Sequence, residues 1–196
     1  ALDIAYLICV QDLIVSSPRN GNELRNLLYT ALEYKDGPFA IRYPKASSEE
    51  FDQNLQAELL PIGSWEVLQN GNDVAILAVG PMTYLALEAA EELKKLDISC
   101  EVVNCRFIKP MDENYLEFML EKFSSVLTIE EGVRSGGFGE GVLSWLSSNN
   151  YKGNSSIISL PDKFVEHGPR DLLLEKWGIN KDCLLYTSPS PRDLST

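Results

Sequence analysis

The sequence is short of the residues on which much reactive or membrane chemistry depends. It has one histidine, His167, in 196 residues, so a mechanism needing a histidine pair must find it elsewhere. The four cysteines, Cys9, Cys100, Cys105 and Cys183, show no C-x-x-C spacing, which argues against zinc and against a disulfide framework. Cys100 and Cys105 lie on or beside an apolar run and read as small hydrophobes. No apolar run approaches the roughly 20 residues of a membrane span, and no basic-then-apolar leader opens the chain. Basic residues are scarce too: 17 Lys and Arg against 29 Asp and Glu leave a formal net charge of −12. That balance argues against nucleic-acid and anionic-membrane binding, because both rest on clustered cations. These shortages point to a soluble, cytoplasmic protein whose partners are small molecules or other proteins.

What is present is an alternation of strand-like and helix-like segments. Ala1 falls in an amphipathic segment (Ile4, Leu7, Ile8), so the chain is expected to begin inside a domain, as a fragment. Leu13-Ile14-Val15 reads as a buried strand. Asn20 with Glu23 forms a capping-box pattern before Leu24, Leu27, Leu28, Ala31 and Leu32, which recur at helical spacing. Gly37-Pro38 breaks that helix, and Phe39 to Tyr43 forms the next strand, stopped by Pro44. Strand, helix, strand implies a parallel crossover with the Tyr43-Pro44-Lys45 loop at a carboxyl end. The composition then turns polar, and residues 47–72 read as an interdomain linker with an apolar island at Ile62 and Trp65 and room for a hairpin.

A second α/β unit is expected over 73–182. Val74 to Val79 is its first strand, and Met82, Leu85, Ala86, Ala89, Ala90, Leu93 and Leu96 form a helical stripe. Cys100 to Val103 is a strand, and Asp112 is placed to cap a helix facing inward through Tyr115, Leu116, Met119, Leu120 and Phe123. Ile157 to Leu160 is a fourth strand. A last helix opens near Pro169, buries Leu172, Leu173 and Trp177, and closes at Gly178. From Cys183 the string matches translated sequencing adapter, so 183–196 is expected to be a non-native, disordered appendage.

Between these lies the most distinctive stretch, Thr128 to Gly141, which contains Glu130-Glu131-Gly132 and Gly136-Gly137-Phe138-Gly139. It reads as strand, glycine turn and helix. Glycines there could bring backbone N–H groups to a phosphate, but two carboxylates at the strand's end oppose an anion. The turn therefore reads as a packing and interface element.

Six segments occur in one order: Asp3-Ile4-Ala5-Tyr6-Leu7, Gly37 to Pro44, Leu60-Pro61-Ile62-Gly63, Asn104 to Pro110, the glycine stretch, and Leu160-Pro161-Asp162-Lys163-Phe164-Val165-Glu166-His167-Gly168. Together they resemble the C-terminal third of the 1-deoxy-D-xylulose-5-phosphate synthases, within the wider transketolase-like group. The resemblance implies an α/β fold: the end of a pyrimidine-binding domain (1–46), the linker, and a transketolase C-terminal domain with a mostly parallel sheet (73–182). It also implies a parent enzyme, a homodimer in its relatives, that uses thiamine diphosphate and Mg²⁺. That enzyme joins pyruvate and D-glyceraldehyde 3-phosphate into 1-deoxy-D-xylulose 5-phosphate with loss of CO₂, supplying isoprenoid, thiamine and pyridoxal synthesis. In the family the cofactor, its metal and a histidine motif belong to segments upstream of Ala1, so no catalytic, cofactor or metal residue is expected here.

Relatives commonly end the Arg-Tyr-Pro turn with an arginine that reaches the aldehyde's phosphate. Here Lys45 stands in that place, and Lys45 with Arg42 are the candidate phosphate-binding residues; a structural ion pair competes for Arg42. Arg106, Lys109 and Asp112 read as a polar corner, and His167 is a poor base without a partner. Three alternatives stay open: another transketolase-like enzyme such as a 2-oxoacid dehydrogenase β-subunit, a dinucleotide-binding module using Asp162 for a ribose, and a non-catalytic assembly domain.

Overall fold

A computed structural model of the chain describes residues 2–45 and 51–187. The first unit has the expected order: α1 (Asp3–Ile8), β1 (Ile14–Ser16), α2 (Gly21–Glu33) and β2 (Phe39–Ile41). Asn20 caps α2 by accepting the Glu23 N–H at 2.9 Å, while the Glu23 carboxylate accepts the Arg19 N–H at 2.7 Å. This is the capping box displaced by one residue. The helix turns Glu23, Leu27 and Thr30 inward and leaves Leu28 and Leu32 exposed, a narrower face than the leucine spacing implied. β1 and β2 pair in parallel, as a crossover unit requires.

The second unit runs β3 (Glu66–Gln69), β4 (Val74–Ala78), α3 (Met82–Lys94), β5 (Cys100–Asn104), β6 (Phe107–Lys109), α4 (Glu113–Lys122), β7 (Ser125–Val133), α5 (Phe138–Ser148), β8 (Asn154–Leu160), α6 (Arg170–Lys176) and α7 (Lys181–Thr187). Its sheet has the order β3-β5-β4-β7-β8, parallel throughout except for the β3 edge. β4 is apolar at every position because both its faces are covered. Val74, Ile76 and Ala78 face the layer of α3, α6 and α7, while Ala75, Leu77 and Val79 face α4, α5 and the buried Ile4 of α1. Among the described residues no helix is long and apolar enough to cross a membrane.

Several features lie outside the sequence pattern. β3 falls within 47–72, the stretch read as linker, and joins the sheet by pairing with β5. β6 leaves its own unit and pairs antiparallel with β1, so the three-stranded sheet β2-β1-β6 is built by both units. Trp65 pins the intervening chain: its indole donates to the Phe107 carbonyl at 2.8 Å, and its N–H donates to Asp112, which also caps α4. In α6, Leu174 is buried and Leu172, expected inside, is 61% exposed, while Trp177 packs half-buried against the core as expected. Arg170 is anchored inward, and Leu174, one turn later, shares its side of the helix.

The segment expected to be disordered from Cys183 continues as α7 up to Thr187. Asn180 caps it by accepting the Cys183 N–H at 2.9 Å, and Leu184 is fully buried in the cluster that covers α3. Two leucines that can reach an uncovered apolar face will bury there whatever their origin. The rest of the adapter-like string, 188–196, and residues 46–50 lie outside the described residues. Replacing Leu184→Ala is expected to lower unfolding stability by about 2–4 kcal/mol, read as a shifted urea midpoint. An unchanged midpoint would show that α7 adds nothing to the fold.

Candidate functional site

The crevice at the carboxyl ends of β4 and β7, where the sheet order reverses, is the usual ligand position of such a sheet. In this chain protein fills it. β7 extends four residues beyond Ile129, and Glu130 turns inward, fully buried. Its carboxylate accepts the Gly139 N–H at 2.8 Å and the Phe138 N–H at 3.1 Å, the free donors at the start of α5. The Glu130 carboxyl group thus takes the place of an anion at this helix N-terminus, which answers the objection that the acidic pair raised. Gly137 is required because a Cβ there would lie 2.7 Å from Glu130 Oε1 and 2.4 Å from the Val133 carbonyl. Gly136 has φ +69, and a Cβ on it would approach Ala5 of α1 to 3.1 Å. The glycines admit a buried carboxylate and a helix from the first unit, leaving a pyrophosphate no place.

Beside this plug the two units enclose a cavity of about 520 Å³. Arg42 and Lys45, the two candidates read from sequence, both line it, and the second unit contributes Glu131, Lys163 and Arg170 over apolar walls that include Val133 and Leu160. Arg42 is committed: Nε donates to Asp3 at 2.5 Å and Nη2 to the Glu131 carbonyl at 2.5 Å. Arg170 holds the Glu131 carboxylate through Nε at 2.9 Å and Nη2 at 2.7 Å. Lys45 and Lys163 are exposed, and among the described residues neither ammonium has a partner. The cavity is thus lined by two arginines already neutralised by Asp3 and Glu131 and by two uncommitted positive charges.

The other candidates are structural. Lys109 donates to the Ile8 and Val10 carbonyls at the end of α1, a cation at a helix C-terminus. Arg106 binds Ser64 and lies 3.8 Å from Oε1 of the buried Glu23, the same oxygen that accepts from Asn104 at 2.7 Å. His167 and Asp162 are exposed in the loop after β8. Burial pushes the Cys100 thiol up to about 12, with Asp73 adding to the effect, and pushes Cys105 well above its usual range, so neither is a nucleophile.

A family model described as the transketolase C-terminal domain matches residues 63–184. The chain belongs to the transketolase C-terminal domain family. A solved structure described as a split-gene transketolase in an inactive beta4 tetramer shares the fold with a TM-score of 0.85 and 30% identity, over 94% of this chain and 59% of that one. Curated 1-deoxy-D-xylulose-5-phosphate synthases of Bacillus cereus (strain AH820) and Bacillus anthracis (strain A0248) are each 42% identical over 186 residues, 93% of this chain. The chain spans 29% of the length of those relatives.

Within this transketolase C-terminal domain and the segment before it, the residues do not fit thiamine diphosphate and its metal. The helix N-terminus that could take a diphosphate is occupied by Glu130, and among the described residues no cluster of three His, Cys, Asp or Glu could hold a metal ion. Glu131, Lys163 and Arg170 were missed in the sequence. The available signal was positional: Lys163 sits in the loop after β8, as Lys45 sits in the loop after β2.

Burial pushes Glu130 up to about 7 from 4.5, against the two amide bonds that favour its charged form. A raised carboxyl value means the folded state binds the proton more tightly than the unfolded chain. The cost of the buried charge is therefore absent below pH about 4.5 and complete above about 7. Unfolding measured across this window should show the native chain losing on the order of 3 kcal/mol relative to Glu130→Gln as pH rises. Parallel profiles would show that Glu130 keeps an ordinary carboxyl value.

Proposed function

We propose that this chain is the C-terminal part of a thiamine-diphosphate-dependent transferase that condenses pyruvate with D-glyceraldehyde 3-phosphate to 1-deoxy-D-xylulose 5-phosphate and CO₂. The likeness to two Bacillus synthases over 93% of the chain supports that reading. Residues 1–46 are then the end of the pyrimidine-binding domain. Magnesium, a homodimeric assembly and a cytoplasmic setting belong to the same reading. The cofactor's chemistry lies with the part of the enzyme that this chain does not span.

The chain's own share is recognition of the aldehyde's phosphate, and the observation that carries it is the uncommitted Lys45 ammonium at the mouth of the cavity. Lysine binds phosphate as a mobile point charge, without the bidentate fork of arginine. Arg42 contributes differently. With its donors spent on Asp3 and the Glu131 carbonyl, it fixes the turn that presents Lys45 and adds positive potential without a direct contact.

A full-length enzyme carrying this segment, loaded with thiamine diphosphate and Mg²⁺, is expected to release CO₂ from pyruvate only when it also forms the ketose phosphate. Absence of that product would remove the synthase reading. In the same enzyme Lys45→Ala should raise KM for D-glyceraldehyde 3-phosphate about tenfold and leave KM for pyruvate unchanged. An unaltered KM for the aldehyde phosphate would remove Lys45 from the site.

A further inference from the structure

We propose that Lys163 is a second phosphate-binding residue, so that a phosphate monoester is gripped by one lysine from each structural unit. The inference rests on the reading of Lys45 as a phosphate ligand and extends it across the junction. The two lysines line the same cavity, and among the described residues neither ammonium makes a hydrogen bond or ion pair. The arginines of the cavity are spent. Arg170 neutralises Glu131 and Arg42 neutralises Asp3, so the carboxylates that would repel an anion are already offset. What remains uncompensated is two positive charges, the complement of a phosphate dianion.

The backbone supports this assignment. Lys163 follows β8 in a turn closed by its own N–H donating to the Pro161 carbonyl at 2.8 Å, so its Cα is held while the side chain stays free. Apolar walls from Leu160, Val133 and Leu173 reduce the water that would screen the charges. A single lysine discriminates poorly among small anions, because it offers one compact charge without fixed geometry. Two lysines lining one cavity, one from each unit, favour a dianion over the singly charged carboxylate of pyruvate. Lys163 is thereby a specificity residue for the phosphorylated acceptor.

The test is binding to the 196-residue chain at low ionic strength, where exposed charges are least screened, using inorganic phosphate and D-glyceraldehyde 3-phosphate in calorimetry. Lys163→Ala is expected to raise Kd for both by about tenfold, Lys163→Arg to stay within about twofold, and Lys45→Ala to weaken binding as Lys163→Ala does. Unphosphorylated D-glyceraldehyde should not bind. Lys152→Ala, at the amino end of β8 beside Asn150 and Gly153 and so at the other end of that strand from Lys163, controls for the loss of one charge. Circular dichroism of each variant separates lost binding from lost folding. Weakening by Lys45→Ala alone overturns the role of Lys163 and leaves the Lys45 reading intact. Weakening by Lys163→Ala alone, or no binding by the native chain, overturns the Lys45 reading and the shared site together. Equal weakening by Lys152→Ala reduces the effect to net charge and overturns the proposal.

Discussion

The structure depends on one buried contact, the Glu130 carboxylate seated on the first free N–H groups of α5. A helix N-terminus at the carboxyl edge of a parallel sheet carries unpaired donors and partial positive charge, and something must satisfy them. In nucleotide-binding folds a phosphate does so. Here the strand extends far enough to bring its own carboxylate into that position, and several features follow. The turn needs Gly137 because a Cβ would collide with that carboxylate. It needs Gly136 because α1 closes over the top. The most conspicuous sequence feature is therefore conspicuous for packing, and the cavity lined by Lys45 and Lys163 lies beside it.

With that crevice closed, the two units are joined by polar contacts that single-domain reasoning does not anticipate. Arg42 reaches from β2 to the backbone of β7, Lys109 reaches back to α1, and Glu23 on α2 meets Asn104 at the end of β5. Burying charges is expensive even when they are paired, so such contacts contribute less to net stability than to fixing one relative orientation. Strand β6 adds a backbone constraint of the same kind, because its pairing partner β1 belongs to the other unit. The cavity walls come from both sides of this junction, and its shape is only as definite as the junction is rigid.

The sequence made the layered architecture legible because β4 is apolar on both faces and the helices carry clear stripes, signals that survive without tertiary context. The caps at Asn20 and Asp112 were legible for the same reason, being local chemistry. Features set by distant partners were not. The inward turn of Glu130 depends on a helix that begins eight residues later, and the phase of α6 depends on Arg170 finding Glu131 across the fold. β3 is short, half-exposed and embedded in polar sequence, so nothing short of its partner β5 marks it as a strand. The burial of Leu184 ran against the reading of the tail from its composition, because a nearby apolar surface accepts leucines without regard to provenance.

The candidate site shows the same division between local and distant information. Lys45 was read as a candidate through the resemblance of its Arg-Tyr-Pro turn to that of the synthases, a local motif in a loop after a parallel strand. Arg42, three residues before Lys45, carries equal charge but a different fate, and only its partners reveal this: its donors are spent on Asp3 and the Glu131 carbonyl. An arginine with a planar fork suits a fixed carboxylate or carbonyl, and two of them here serve the protein's own acceptors. Lysines, with one mobile charge on a long stem, are the cations left facing the cavity. Permanent contacts thus take the rigid donors, while the adaptable ones remain available to a ligand that comes and goes.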